Sequence, residues 1–161
     1  MKVADAIDAE ALRTLGTMLK VVRSADRALR EASRHGLGLT EVSVLAEISR
    51  GTTGPSSLAD ALRLDRPRIT RLTDRLVCAE LVARQGDDVD RRRFHLTITQ
   101  QGEGELHASL SFVADYVGAM LRSVPSGSRE GLVQGLLALR SSIEDKDATS
   151  GASLAAVSLG R

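Results

Sequence analysis

The chain has a single cysteine, Cys78, no tryptophan, and only three aromatic rings, those of Phe94, Phe112 and Tyr116. One thiol excludes an intrachain disulfide and any cysteine-based metal cluster. A core without large rings has to be assembled from Leu, Val, Ile and Ala, and aliphatic stripes of that kind suit packed helices. Lysine is scarce too: of 22 basic residues only Lys2, Lys20 and Lys146 are lysines, which leaves 19 arginines. That bias fits either coding preference or a use for bidentate phosphate and base contacts. There is no excess of one charge sign, the formal net charge being +1. Global charge therefore identifies no partner, and any electrostatic signal has to be local.

Other absences narrow the reading further. No apolar run approaches membrane-spanning length, and the opening stretch MKVADAIDAEALRTLG is too charged for a signal peptide. A cytoplasmic protein with no membrane partner is expected. His35, His95 and His107 are scattered over different segments, and no close spacing to a carboxylate suits a metal ion. There is no phosphate-cradling glycine loop and no nucleophile motif. The paired Asp87 and Asp88 fall on an exposed turn, without the burial that raises a carboxyl pKa. The chain reads as neither an enzyme nor a cofactor-dependent protein.

What is present is a series of helical patterns interrupted once. Residues 7–35 carry Leu15, Val22 and Leu29 at seven-residue steps, with Met18, Ala25 and Ala32 between them. Such an a/d-like seam needs a partner helix. The glycines of HGLGLT end it. Thr40 is the expected N-cap of EVSVLAEIS, which turns Val42, Leu45 and Ile48 inward. Pro55 suits the first position of a short helix whose buried face is Leu58, Ala59 and Leu62. After a three-residue turn, Pro67 opens a helix to about Ala79, because the residue before a proline avoids the helical region. LVARQ (81–85) reads as a strand and GDDVDRRR (86–93) as a charged turn. FHLTIT alternates as a second strand, with Phe94, Leu96 and Ile98 on one face. Thr99 is the expected cap of a helix over 100–123, striped by Leu106, Leu110, Val113, Val117, Met120 and Val124. PSGS separates it from a last helix over 129–144, and the small polar segment 146–161 is expected to lack order.

Two short helices joined by a tight turn and followed by a hairpin form a winged helix-turn-helix arrangement. The second of these helices is unusual for a nearly neutral chain. In RLDRPRITRLTDRLV (63–77), Ile69, Leu72, Leu76 and Ala79 gather on one side at 100° per residue. Pro67, Thr70, Arg71, Asp74 and Cys78 fall opposite, flanked by Arg68 and Arg75. From Arg66 to Arg75 four arginines face one aspartate, a local net of 4 − 1 = +3. A helix entering the major groove N-terminus first would use Arg68, Thr70 and Arg71 for base readout, with Arg66 and Arg75 on phosphates. A solvated amphipathic helix, its arginines paired with Asp65 and Asp74, is the plainer alternative. In the turn 86–93, Asp90 would hold one arginine while another projects into the narrow minor groove. A self-neutralising surface hairpin is the alternative there.

The run from LTEVSVLAEI through SSLADALRLDRPRITRLTDRL to DDVDRRRFHLTITQQG resembles the multiple antibiotic resistance regulator (MarR) family. Asp87, Asp90, Arg91 and Arg92 match that family's wing, and Ile98, Thr99 and Gly102 its strand end. Leu58, Ala59 and Leu62 match the first helix of the motif. Asp65, Arg66, Ile69, Thr70, Arg71, Asp74, Arg75 and Leu76 match the second. The resemblance implies a mainly α fold (α+β, winged helix-turn-helix) of about six helices with a two- or three-stranded β-wing. It implies a DNA-binding lobe over 37–99 and a helical dimerisation region over 1–36 and 100–145. A homodimeric regulator of transcription, most often a repressor, would read a pseudo-palindromic operator in double-stranded DNA. Arg66, Pro67, Arg68, Thr70, Arg71 and Arg75 of the recognition helix would contact it, with Asp90, Arg91 and Arg92 of the wing. A winged-helix module that binds proteins instead is the other reading, favoured by the acidic wing.

Three further expectations follow from the resemblance. A small aromatic or phenolic effector would bind near Met18, His35, Phe112 and Tyr116, although each of these also suits plain core or helix surface. Cys78, on the polar side of the recognition helix, lacks a second cysteine to resolve an oxidised form. Arg63 and Glu80 stand where the family usually has glycine. A left-handed backbone would cost a non-glycine residue roughly 1–2 kcal/mol at each, so both turns are expected to adjust.

Overall fold

The computed structural model describes residues 2–86 and 94–158, and side chains within 9–86 and 94–143. The elements are α1 (Lys2–Ala32), α2 (Leu39–Ser49), α3 (Pro55–Leu62), α4 (Arg66–Cys78), β1 (Val82–Gly86), β2 (Phe94–Ile98), α5 (Gln100–Ser123) and α6 (Ser126–Ser158). Six helices and one two-stranded sheet give the mainly α, winged helix-turn-helix architecture that the sequence pattern implies. The chain divides into two compact units between Val117 and Gly118.

In the first unit the core lies where α2, α3, α4 and the hairpin meet. Val44, Leu45, Leu58, Ile69, Leu76, Leu81 and Leu96 are all fully buried there, joined by Leu29 from α1 and Leu106 from α5. β1 and β2 pair antiparallel from Val82 opposite Ile98 to Gly86 opposite Phe94. Leu96 also donates its N–H to the Thr53 carbonyl at 2.9 Å, so the loop before α3 closes the sheet edge like a third strand. The expected strand 81–85 is displaced by one residue, because the Leu81 N–H is taken by the Leu76 carbonyl at the end of α4.

Helix starts differ from expectation where neighbouring elements supply the caps. α2 begins at Leu39 with Gly38 at the N-cap position, so Thr40 is not its cap. Two carboxylates cap it instead, one of them from α1. Asp26 Oδ1 accepts the Leu39 N–H at 2.7 Å, and Glu41 Oε2 accepts the Gly38 N–H at 3.2 Å. A Cβ at Gly38 would run into the Asp26 carboxylate and the Arg30 guanidinium. α4 begins at Arg66, one residue before Pro67, because Asp65 caps it with a 2.8 Å bond from the Arg68 N–H. Proline remains compatible there, since the first N–H groups of a helix need no intrahelical acceptor.

The turns at Arg63 and Glu80 do not adjust. Arg63 closes α3 at φ 52°, ψ 44°, and Glu80 follows α4 at φ 59°, both left-handed. The Leu64 N–H bonds the Ala59 carbonyl and the Leu81 N–H bonds the Leu76 carbonyl, each at 3.0 Å. These bonds close the helix ends and require the left-handed residue between. Just beyond, Thr99 locks the next corner. Its hydroxyl donates to the Glu80 carbonyl at 2.7 Å and accepts the Gly102 N–H at 3.0 Å, the capping role expected of it. Its own N–H reaches the Leu81 carbonyl at 3.1 Å. At Gly102 a Cβ would fall inside the Leu81 carbonyl, so α5 approaches the hairpin as closely as it does only with glycine there.

Within the first unit, α5 turns Gly102, Leu106 and Ser109 inward, and Leu110 is half exposed. The expected stripe is therefore rotated, since the close approach at Gly102 fixes which face follows at i+4 and i+7. On α1, Leu29 and Ala25 are buried, but Leu12, Leu15, Leu19 and Val22 remain between 45% and 68% exposed. In the second unit, α6 starts at Ser126, before the expected position 129. It runs to Ser158 through a segment that contains no proline and several helix-favouring alanines. Its Leu132, Val133, Leu136, Leu137, Leu139 and Ile143 are exposed.

Gly102→Ala should destabilise the protein by about 1–3 kcal/mol, the cost of forcing a side chain into filled space. Glu80→Gly should stabilise it by about 0.5–1 kcal/mol, once the left-handed penalty is set against the greater freedom of glycine when unfolded. Urea unfolding midpoints measure both, and a neutral Gly102→Ala would contradict the close approach.

Candidate nucleic-acid interface

The helix α4 is held by its apolar side and open on the other. Ile69 and Leu76 are completely buried, and Leu72 and Ala79 are partly so. Thr73 is buried as well, which its polarity did not suggest; its hydroxyl is satisfied by the Thr70 carbonyl at 3.0 Å. On the outer side Arg66, Pro67, Arg68, Thr70, Arg71 and Arg75 are all exposed, as are Asp74 and Cys78.

The arginines of this face fall into two groups. Among the described residues, none forms an ion pair with Arg66, Arg68 or Arg71. Asp65 caps the helix through its side chain, and Asp74 pairs with Arg84 on β1. Asp65 and Asp74, the two acids expected to pair with these arginines, thus bond to other groups among the described residues. The Arg84 guanidinium also lies over the Phe94 ring, 4.9 Å from its centroid, which ties both strands of the hairpin to α4. Thr70 donates its hydroxyl to the Arg66 carbonyl at 3.0 Å, leaving lone pairs and a methyl group for any contact beyond the helix.

Arg75 stands apart from these. Its Nη1 donates to Glu41 Oε1 at 2.7 Å, and its Nη2 to the carbonyls of Gly36 at 3.1 Å and His35 at 3.4 Å. Glu41 is 3% exposed and also binds Arg30 of α1, through Oε2 at 3.2 Å and Oε1 at 3.3 Å. The bond to Glu41 raises the Arg30 pKa against the opposing effect of partial burial, and Asp26, bonded to Arg30 Nε at 3.0 Å, adds to the rise. The sequence reading missed this group. Its signal was an acid inside the apolar run LTEVSVL, with an Asp–Arg pair at i,i+4 on the helix before it.

The wing residues Asp90, Arg91 and Arg92, with Asp87, lie outside the described residues. Between α1 and α5 of the first unit there is a cavity of about 210 Å³, lined by Leu29, Ala32, Ser33, Arg34, Glu105, Ala108, Ser109 and Phe112. Ser33 donates to Glu105 at 2.6 Å on its wall. Of the four residues expected near an effector, Phe112 lines it. Tyr116 stacks on Phe112 at 6.0 Å and shares a 2.8 Å hydrogen bond with Ser24. Among the described residues no cluster of His, Cys, Asp or Glu could hold a metal ion, and no helix is long and apolar enough to cross a membrane.

A short helix, a closed turn, a second helix with an exposed basic face and a hairpin fastened to it define a winged helix-turn-helix protein. Residues 37–94 match the MarR family. The HTH-type transcriptional regulator PecS of Dickeya dadantii (strain 3937) is 30% identical over 101 residues, covering 60% of this chain and 61% of PecS. The chain thus spans about three fifths of the curated relative it matches. The crystal structure of the transcriptional regulator BldR from Sulfolobus solfataricus is 27% identical, with a TM-score of 0.62 over 82% of this chain and 95% of BldR. FabT of Streptococcus pneumoniae, solved in complex with DNA, shares the fold at 19% identity, with a TM-score of 0.67 over 86% of this chain and 98% of FabT. Over these residues the chain is similar to the MarR family and to a transcriptional regulator.

Asp65→Ala should cost about 1 kcal/mol by removing the cap of α4. Urea unfolding measures it, and an unchanged midpoint would mean that the bond to the Arg68 N–H contributes nothing.

Proposed function

We propose that this chain is a sequence-specific DNA-binding regulator of transcription, a repressor acting as a homodimer. The observation that carries the reading is the set Arg66, Arg68 and Arg71 on the exposed N-terminal half of α4. They carry three positive charges without a described acidic partner, on a helix whose opposite face is locked into the core. Arginine bonds guanine O6 and N7 bidentately, and the Thr70 methyl suits a thymine methyl. Arg68, Thr70 and Arg71 read bases; Arg66 and the helix N-terminus bind phosphate. The link from Asp74 to Arg84 fastens β1 beside this face, which supports the reading that Arg91 or Arg92 would enter the minor groove with Asp90 as its support.

The exposed leucines and valines of α1 and α6 support dimerisation, and a two-fold dimer matches a pseudo-palindromic operator. The cavity beside Phe112 supports a small aromatic effector, whose binding would release the protein from DNA.

On a duplex selected from a random pool, Arg71→Ala and Arg92→Ala should each weaken binding by about 1–3 kcal/mol. Affinity should fall steeply as salt rises, because several phosphates are neutralised. Equal affinity of the native chain for selected and random duplex would exclude sequence-specific regulation and leave protein binding as its role.

A further inference from the structure

Arg75 offers two incompatible uses of one guanidinium. Its place on α4 makes it available to a phosphate, and 49% of its side chain is exposed. Its bonds point the other way. The 2.7 Å contact with Glu41 is the shortest the Glu41 carboxylate makes, and the carbonyls of Gly36 and His35 take the second nitrogen. Gly36 turns its carbonyl toward that nitrogen from a left-handed conformation, φ +61°. Glu41 is in turn held by Arg30 and by the Gly38 N–H. A phosphate contact would pull Arg75 away and leave a buried carboxylate oxygen with its weaker partner alone, which is unfavourable where water cannot replace the lost bond. Arg66, Arg68 and Arg71 face no such choice among the described residues.

We infer that Arg75 is a positioning residue: through Glu41 it fixes the placement of α4 against α1 and α2, and it does not bind the DNA backbone. The inference rests on the DNA-binding function proposed above. It predicts a pattern that neither a phosphate contact nor a merely structural residue produces. Lost positioning weakens the selected duplex and leaves random-duplex binding alone, whereas a lost phosphate contact weakens both and lowers the salt slope by about one.

The experiment uses the full chain, a duplex selected from a random pool and a random duplex of equal length. The variants are Arg75→Gln, Arg75→Lys, Glu41→Gln and the double variant Glu41→Gln/Arg75→Gln, each checked for folding by circular dichroism. Arg75→Gln and Glu41→Gln are expected to lose about tenfold in affinity for the selected duplex. The double variant should be no worse than either single one, with random-duplex affinity and salt slope as in the native chain. Arg75→Lys keeps the charge but not the fork that spans Glu41 and Gly36, so it should lose as much as Arg75→Gln. It decides the question even if Glu41→Gln does not fold. A lowered salt slope with equal losses on both duplexes, or native behaviour of Arg75→Lys, would overturn the inference. A native chain that selects no duplex would remove the proposed function itself, an outcome distinct from both.

Discussion

The Glu41 carboxylate holds three helices in relation to one another. It is almost wholly removed from water, so its charge has to be met inside the protein, and it is met from two sides by Arg30 on α1 and Arg75 on α4. An isolated buried carboxylate would be strongly unfavourable; one with three hydrogen-bonding neighbours of suitable geometry is tolerated and resists displacement. The hydrophobic core around Leu45, Ile69 and Leu76 supplies most of the attraction between these helices, but apolar contacts are not directional. The charged group adds direction. It also explains Gly38: the space a side chain would occupy at the start of α2 is filled by Asp26 and Arg30.

Much of this was legible in the sequence. Ile69, Leu72 and Leu76 at helical spacing gave α4 its buried side, and the alternation around Leu96 gave the second strand. Thr99 was recognisable as a cap because a hydroxyl before a helix has one common use. The exposed face of α4 followed from the same periodicity. What escaped depends on contacts distant along the chain. Arg75 reaches a carboxylate 34 residues earlier, and no local pattern announces such a pair. Thr73 looked polar and is buried, because a threonine hydroxyl can be satisfied by its own helix. Thr40 looked like a cap and is not one, because Asp26 from another helix does its work.

Arg63 and Glu80 show tertiary structure overriding local preference. Two closely spaced elements must leave the ends of α3 and α4 at sharp angles, and the bonds to the Ala59 and Leu76 carbonyls are made only if the intervening residue is left-handed. The energy gained by closing each helix end and burying Leu81 offsets the local strain. The preference of a single residue, which favours a relaxed turn, is the smaller of the two effects.

The hydrogen bond from Thr70 back to its own helix uses its one hydroxyl proton, so toward the outside of α4 its oxygen can accept but not donate. Arg66, Arg68 and Arg71 only donate, and Asp74, the acid on that face, is occupied by Arg84. The guanidinium groups of such a surface give hydrogen bonds, and the Thr70 oxygen among them takes them. In the major groove guanine offers two acceptors and thymine an acceptor beside a methyl group, whereas the amino groups of cytosine and adenine are donors in search of an acceptor. For the function proposed above, the arginines would suit guanine edges, while Thr70 would offer its oxygen to an adenine or cytosine amino group and its methyl to thymine.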